Sequence, residues 1–141
     1  MYTNILLATD LSEMHFNICE KAVKVASLLQ AKLYILHVVE VPAGVQLAQG
    51  LGFTELAQPS TDDAWTVMRI LGDALNIPSE QLMVERGGAV GDIIAQKIHQ
   101  LDCDLILVGN HTSENLPSLI GSTTSYLILH APCDVMTLRN V

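Results

Sequence analysis

Two short runs of small and polar residues have the chemistry to hold an anion. Residues 109–112 are Gly-Asn-His-Thr and follow an apolar run, 104–108, that predicts a buried strand; residues 121–124 are Gly-Ser-Thr-Thr. A glycine lets the backbone approach a phosphate closely, and backbone N–H groups point at a bound anion where a strand turns into a helix. Three hydroxyls in the second run add further donors. The two runs therefore indicate a phosphate site and, through it, a nucleotide.

The charge balance excludes large anionic partners. The chain carries 7 Lys and Arg against 15 Asp and Glu, which gives a formal net charge of −8. Nucleic acids and anionic membrane surfaces require a basic patch, so we expect neither as a partner. No Lys or Arg lies between Lys97 and Arg139. A phosphate near residues 109–124 must therefore be held by backbone N–H groups and hydroxyls.

The composition favours one α/β domain. Half of the residues are apolar but only 4% are aromatic, so the core must be aliphatic. An aliphatic core is typical of a parallel sheet that helices cover on both faces. A length of 141 residues predicts a single domain, residues 1–141.

Cysteines and histidines give no sign of a disulfide framework or a metal site. The three cysteines are odd in number and lack Cys-x-x-Cys spacing, which favours reduced thiols. The candidate metal ligands are His15, His99, His130 and Cys103. Their spacing does not match that of a metal site, so no metal is predicted.

The first residues lack the positive charge of a secretion signal. No apolar segment approaches the roughly 18 residues that span a bilayer. We therefore expect a cytoplasmic protein.

Apolar runs and helical periodicity alternate along the chain. Strands are predicted at residues 4–9, 32–39, 81–86, 104–109 and 135–139, and helices at residues 13–30, 61–75, 89–101 and 122–130. Residues 10–12 and 61–63 are expected to supply helix-capping side chains. The stretch from Ala43 to Ser60 has no clear period and is predicted to be a loop with at most one short helical turn. Five strands separated by helices predict a five-stranded, parallel, doubly wound sheet with helices on both faces.

In such sheets ligands bind beyond the carboxyl ends of the strands, where the strand order reverses. Three predicted loops leave that rim with usable chemistry: residues 9–10, residues 38–39 and residues 109–124. Their convergence at one rim predicts a binding cleft.

The same segments resemble the universal stress protein family across nearly the whole chain. The resemblance is carried by Ile-Leu-Leu-Ala-Thr-Asp at 5–10, Leu-His-Val at 36–38, Gly-Gly at 87–88, Asp-Cys-Asp-Leu-Ile-Leu-Val-Gly at 102–109, Gly-Ser-Thr at 121–123 and Ala-Pro-Cys-Asp-Val-Met at 131–136. It implies a Rossmann-like fold of the adenine nucleotide alpha hydrolase kind, a homodimer and, in one subgroup, bound ATP.

The resemblance also implies roles for individual residues in binding ATP or AMP with Mg²⁺. Asp10 and Val38 would contact adenine, with the main chain of Thr9, and Gly109 would lie beneath the ribose and phosphates. The phosphates would be lined by the remaining site residues: His111, Gly121, Ser122, Thr123 and Thr124.

Two departures separate this chain from the nucleotide-binding pattern, which is glycine, two residues, glycine, nine residues, glycine and serine or threonine. Thr112 replaces the second glycine, and only eight residues, 113–120, precede Gly121. A side chain at position 112 costs about 1 kcal/mol or more if that position needs a positive φ. Members of the family without the glycines do not bind ATP, and this chain lies between the two groups.

Three functions are compatible with these residues. The first is a stress-response regulator that binds an adenine nucleotide, and the second is a dimeric protein-interaction module that has lost nucleotide binding. The third is an enzyme, at most a very slow ATPase or another transferase, which the absence of a phosphate-binding lysine and of an arginine finger disfavours. A response-regulator receiver is excluded because Arg86-Gly87-Gly88 stands where its phosphoacceptor aspartate would be. The first function is preferred.

We expect the homodimer to form by edge-to-edge pairing of the last strands, because an apolar edge strand would otherwise stay exposed. The residues that pair are Val135, Met136, Thr137 and Leu138. Size-exclusion chromatography with light scattering should report twice the mass of the chain. A stable monomer at micromolar concentration would contradict this pairing.

Overall fold

Five strands and five helices are present in the computed structural model, which describes residues 1–53, 60–110 and 122–139. The strands are β1 Asn4–Ala8, β2 Lys32–Glu40, β3 Leu82–Gly87, β4 Leu105–Asn110 and β5 Asp134–Arg139. The helices are α1 Phe16–Leu28, α2 Ala43–Gly50, α3 Asp62–Leu75, α4 Val90–Gln100 and α5 Ser122–His130. Short 3₁₀ turns, Glu13–His15 and Ser79–Gln81, precede α1 and β3.

The sheet is parallel throughout, in the order β3-β2-β1-β4-β5. Ile5 of β1 pairs with Leu33 of β2 on one side and with Leu105 of β4 on the other. The strand order therefore reverses between β1 and β4, which is the switch point of a doubly wound sheet. The predicted fold class is confirmed, whereas the prediction that residues 1–141 form one domain stays a prediction.

Each face of the sheet carries its own apolar cluster. Along β1 successive side chains alternate, so that Ile5 and Leu7 face one cluster and Leu6 faces the other. The first cluster takes Ile18 from α1 and Met68 from α3. The second cluster takes side chains from α4 and α5: Ile94, Ile98 and Leu127. Helices α1 and α3 thus cover one face, and α4 and α5 cover the other.

Residues 43–50 correct the prediction of a loop with at most one short turn, because they form the eight-residue helix α2. None of its residues is buried, so its apolar side chains give only a weak sequence signal of a packed helix. Gln46 Nε2 donates to the carbonyl of Val41 (2.9 Å) and ties the helix to the end of β2. Residues 54–59 of the predicted loop lie outside the described residues.

The predicted helix caps are also corrected. Ser12 makes no side-chain capping bond; instead Asp10 Oδ1 accepts a hydrogen bond from the backbone N–H of Ser12 (2.8 Å) and closes a turn before the 3₁₀ segment. At α3, Ser60 Oγ rather than the Thr61 hydroxyl accepts the N–H of Asp62 (3.1 Å). Both loops use a polar side chain two residues before the N–H that it binds.

Asp104 joins the starts of the two central strands. Its carboxylate accepts the backbone N–H of Thr3 (2.9 Å to Oδ2) and that of Asn4 (3.2 Å to Oδ1). The N–H of Asp104 in turn donates to the carbonyl of Asn4 (3.0 Å). Asn4 Nδ2 adds a bond to the carbonyl of Leu101 (3.1 Å). These bonds hold β1 beside β4 at the end of the sheet opposite the switch-point rim.

Substitution of Asp104 by alanine should lower the free energy of unfolding by about 1–2 kcal/mol, because two backbone donors lose a charged acceptor. Urea denaturation monitored by circular dichroism measures the change. Asp73→Ala, which removes an exposed carboxylate of α3, is the matched control and should shift stability by less than about 0.5 kcal/mol. Equal effects of the two substitutions would show that Asp104 does not join the strands.

Candidate functional site

Of the residues predicted to bind a ligand, those that the structure describes lie at one rim of the sheet. Ala8, the last residue of β1, pairs with Leu36 of β2 and with Val108 of β4. Thr9 and Asp10 therefore emerge beside Val38 and Gly109, at the carboxyl ends of the strands that flank the switch point. We call this space between the ends of β1 and β4 the crevice. His111, Thr112 and Gly121 lie outside the described residues.

Thr9 is a hydrogen-bonding centre at the floor of the crevice. Its N–H donates to the carbonyl of Leu36 (2.9 Å). Its carbonyl lies 2.8 Å from His37 Nδ1; since a carbonyl only accepts, this nitrogen carries the proton. The buried hydroxyl accepts the N–H of Leu11 (3.1 Å) and lies 3.1 Å from His15 Nδ1. The resemblance implies that the main chain of Thr9 helps to bind adenine, but its N–H and its carbonyl are both hydrogen-bonded within the protein.

Asp10 presents its carboxylate at the mouth of the crevice. One oxygen accepts the N–H of Ser12, and the other lies 3.6 Å from His15 Nε2. Leu11 has a positive φ of 58°, and this tight turn brings the N–H of Ser12 back to Asp10. Half of the Asp10 side chain remains exposed. An exposed, oriented carboxylate can accept the amino hydrogens of a nucleobase.

His15 was missed as a site residue by the sequence analysis, which considered it only as a metal ligand. It is 5% exposed and lies between Thr9, Asp10 and the backbone of Gly109. Its place in the chain offered a signal: it ends the 3₁₀ turn that leads into α1, three residues before the buried Ile18, and therefore lies next to the inward face of that helix. A buried imidazole bonded at the rim positions the loop that follows β1.

Gly109 is explained by the packing of this histidine. A Cβ at position 109 would lie 2.6 Å from Cδ1 of Ile18 and 2.8 Å from Cε1 of His15. Such separations are below van der Waals contact, so position 109 accepts no side chain while His15 occupies its place. The role of Gly109 beneath a ribose stays a prediction, because close packing alone requires the glycine.

The beginning of α5 supplies the hydroxyls predicted to line a phosphate. Ser122 is exposed, Thr123 is half-buried and Thr124 is buried. The N-terminus of a helix has backbone N–H groups without helical partners, which attract anions. Val38, on β2, is half-buried and packs against the second apolar cluster, which contains side chains of α4 and α5. The roles predicted for these residues, in contact with phosphate and with adenine, stay predictions.

The three cysteines are free, and their thiols are protonated at neutral pH. Burial raises the pKa of Cys19 to about 11, that of Cys103 to about 12 and that of Cys133 to about 11. Only a thiolate is strongly nucleophilic. None of the three is therefore suited to nucleophilic chemistry at neutral pH.

Residues 1–53, 60–110 and 122–139 contain no group of three or more His, Cys, Asp and Glu side chains that could hold a metal ion. In the same ranges, no helix combines the length and the apolar character needed to cross a membrane.

Comparison with known proteins gives a consistent result. The sequence model of the universal stress protein family matches residues 1–139. Universal stress protein A homolog 1 of Coxiella burnetii is 29% identical over 140 residues, which cover 97% of this chain and 96% of that protein. The solved structure of universal stress protein UspA from Lactobacillus plantarum is 30% identical, with a TM-score of 0.71 and 98% of both chains covered.

A further solved structure shares the fold at low identity. It is a universal stress protein in complex with cAMP, 19% identical to this chain, with a TM-score of 0.70 and coverage of 99% and 98%.

Substitution of Gly109 by alanine should destabilise the protein by about 1–3 kcal/mol, because the new methyl group overlaps His15 and Ile18. Gly44→Ala is the matched control. An added Cβ at position 44 of α2 meets nothing within 4 Å, and alanine is the better helix former. Thermal unfolding followed by circular dichroism compares the two variants. A Gly109→Ala protein as stable as the Gly44→Ala protein would contradict the packing explanation.

Proposed function

The chain belongs to the universal stress protein family, and we propose that it is a small stress-response regulator that binds an adenine nucleotide in the crevice. The observation that carries this proposal is the position of the exposed Asp10 carboxylate. It stands in the loop after β1, at the switch point of the sheet, where the N–H of Ser12 holds it. Doubly wound sheets bind ligands at this point. ATP and AMP are the nucleotides proposed.

The base and the phosphates would meet different parts of the rim. Asp10 accepts hydrogens from the adenine amino group, and Val38 supplies an apolar contact on the neighbouring strand. The phosphates lie toward the start of α5, where Ser122 and Thr123 offer hydroxyls and the helix offers backbone N–H groups. The structural neighbour in complex with cAMP supports an adenine nucleotide as the class of ligand for this fold.

Mg²⁺ fits this donor set when it arrives with ATP. Mg²⁺ prefers oxygen ligands and is commonly held in large part by substrate phosphates; on the protein side, the hydroxyls of Ser122 and Thr123 would supply oxygens at the phosphate end. Bound Mg²⁺ would neutralise phosphate charge in a chain whose own net charge is −8.

A binding role is favoured over a catalytic one. Thr9, His15 and Asp10 are arranged in the order of a nucleophile, a base and an acid. However, Thr9 is only 6% exposed and His15 only 5%, and the Thr9 hydroxyl already accepts the N–H of Leu11. The three residues therefore hold the loop in place. We propose a non-catalytic protein that works in the cytoplasm.

A dimeric interaction module without nucleotide is the second candidate. It is favoured by the engagement of both main-chain groups of Thr9 and by a packing reason for Gly109. The surface for either function includes the free edge of β5. This strand is the last of the sheet, its Met136 and Thr137 are exposed, and we propose that two copies of the chain pair there.

Isothermal titration of the nucleotide-stripped protein with ATP and Mg²⁺, and separately with AMP, tests the crevice. Asp10→Asn keeps an oxygen for the Ser12 N–H but removes the charge and one acceptor. The affinity should fall about tenfold to a hundredfold, the equivalent of a hydrogen bond to a charged group. Asp73→Asn on the exposed face of α3 is the matched control and should bind as the parent chain does.

Each outcome separates the candidates. Saturable binding that Asp10→Asn weakens supports a nucleotide regulator. Saturable binding that Asp10→Asn leaves unchanged would contradict the crevice as the binding site. No heat and no thermal shift at millimolar ATP would leave the interaction module as the function.

A further inference from the structure

A second concave site lies between α1 and α3, on the face of the sheet that these helices cover. It is a half-enclosed cavity of about 260 Å³. The walls are mostly apolar: Phe16 and Cys19 come from α1, and Val67, Ile70 and Ala74 come from α3. We call it the α1–α3 cavity.

This cavity is distinct from the crevice. Of the described residues proposed to bind the nucleotide, only Thr9 lines it; Asp10, Val38, Gly109 and Ser122 do not. The crevice opens between the ends of β1 and β4, whereas the cavity opens to the side, between two helices. The two sites share the loop after β1, because Ser12 and His15 line the cavity and also contact Asp10, but they open on different sides of that loop.

The floor of the α1–α3 cavity is polar but already hydrogen-bonded. The Thr9 hydroxyl accepts the N–H of Leu11, lies 3.1 Å from His15 Nδ1 and lies 3.9 Å from Cys19 Sγ. The floor thus offers few new bonds to a polar ligand. A molecule that entered would contribute mainly by burying apolar surface, at about 25 cal/mol per Å².

The mouth of the cavity is surrounded by exposed apolar side chains. Ile70 is 64% exposed, Val67 is 42% exposed and Phe16 is 39% exposed. Each would lose contact with water when a ligand fills the space between the helices. Exposed apolar side chains around a concave site are typical of small-molecule pockets, which combine such walls with a few polar groups.

The charge of the lining excludes anionic ligands. Glu13 is the charged residue among the described residues that line the cavity, and Lys and Arg are absent from that set. Burial keeps the Cys19 thiol protonated, with its pKa raised to about 11, so that the wall is uncharged at this position. A carboxylate or a phosphate would enter next to Glu13 with no Lys or Arg to pair with, and the His15 imidazole of the lining already lies with Nε2 3.6 Å from the Asp10 carboxylate.

We propose that the α1–α3 cavity binds a small, neutral, largely apolar molecule of the size of one or two aromatic rings. The volume sets this size, because an apolar cavity of about 150 Å³ holds one benzene ring. The cavity here is less than twice that volume and accommodates a bicyclic ring. The site is separate from the nucleotide proposal and does not depend on it.

Titration of the purified full chain with indole, a neutral bicyclic ring, tests the proposal by calorimetry and by ligand-observed NMR. Ala74→Trp fills the cavity from an exposed position of α3 that tolerates a large side chain. Asp73→Trp places the same side chain on the adjacent exposed position, outside the lining, as the matched control. Circular dichroism and thermal unfolding establish that both variants are folded.

The expected result is saturable indole binding that weakens at least tenfold in Ala74→Trp and is retained in Asp73→Trp. Indole-3-acetate, which has the same ring with a carboxylate, should bind at least tenfold more weakly than indole. The proposal is overturned if indole fails to bind, if Ala74→Trp binds it as tightly as Asp73→Trp, or if indole-3-acetate binds equally well. Competition between indole and ATP for one site would also overturn it.

Discussion

The parallel pairing of β1 with β4 is the contact on which the rest of the structure depends. These strands are neighbours in the sheet although about a hundred residues separate them along the chain. Asp104 binds the start of β1 at one end, and the Thr9–His15 contact packs against Gly109 at the other. The strand order reverses at this pair, so α1 and α3 cover one face while α4 and α5 cover the other. Without this pairing neither face has a complete core, and no crevice exists at the rim.

The two concave sites follow from this arrangement in different ways. The crevice exists because the chain leaves β1 toward one face of the sheet and leaves β4 toward the other, a consequence of topology. The α1–α3 cavity depends on side chains, because it lies where two helices on the same face stay apart near their exposed apolar residues. Thr9 contributes to both, with its backbone bonded across the strands and its hydroxyl turned toward α1. The loop after β1 is therefore shared by the two sites.

Much of the fold could be predicted from the sequence because its signals are local and apolar. The strand of residues 104–109 and the helix of residues 122–130 agree with β4 and α5 to within one residue. α2 was not predicted, because a short helix without buried residues gives a weak apolar pattern and its hydrogen bond to Val41 cannot be read from apolar spacing. At the site, the positions of Asp10 and Val38 on one rim follow from strand order, whereas the role of His15 needed coordinates. Its partners are Thr9, Asp10 and Gly109, and the contact with Gly109 bridges residues that are far apart in sequence.

The packing of His15 against Gly109 also bears on how the sequence can change over evolutionary time. The two positions share one volume together with Ile18, so a side chain gained at position 109 requires that His15 and Ile18 both become smaller or move. Each single step passes through an overpacked or underfilled intermediate, and the two changes together are less harmful than the sum of their separate effects. Position 15 also contacts Thr9 and Asp10. A lineage that altered this pair would therefore remodel the loop after β1 in the same step, and divergence in packing and divergence in ligand choice would arise together.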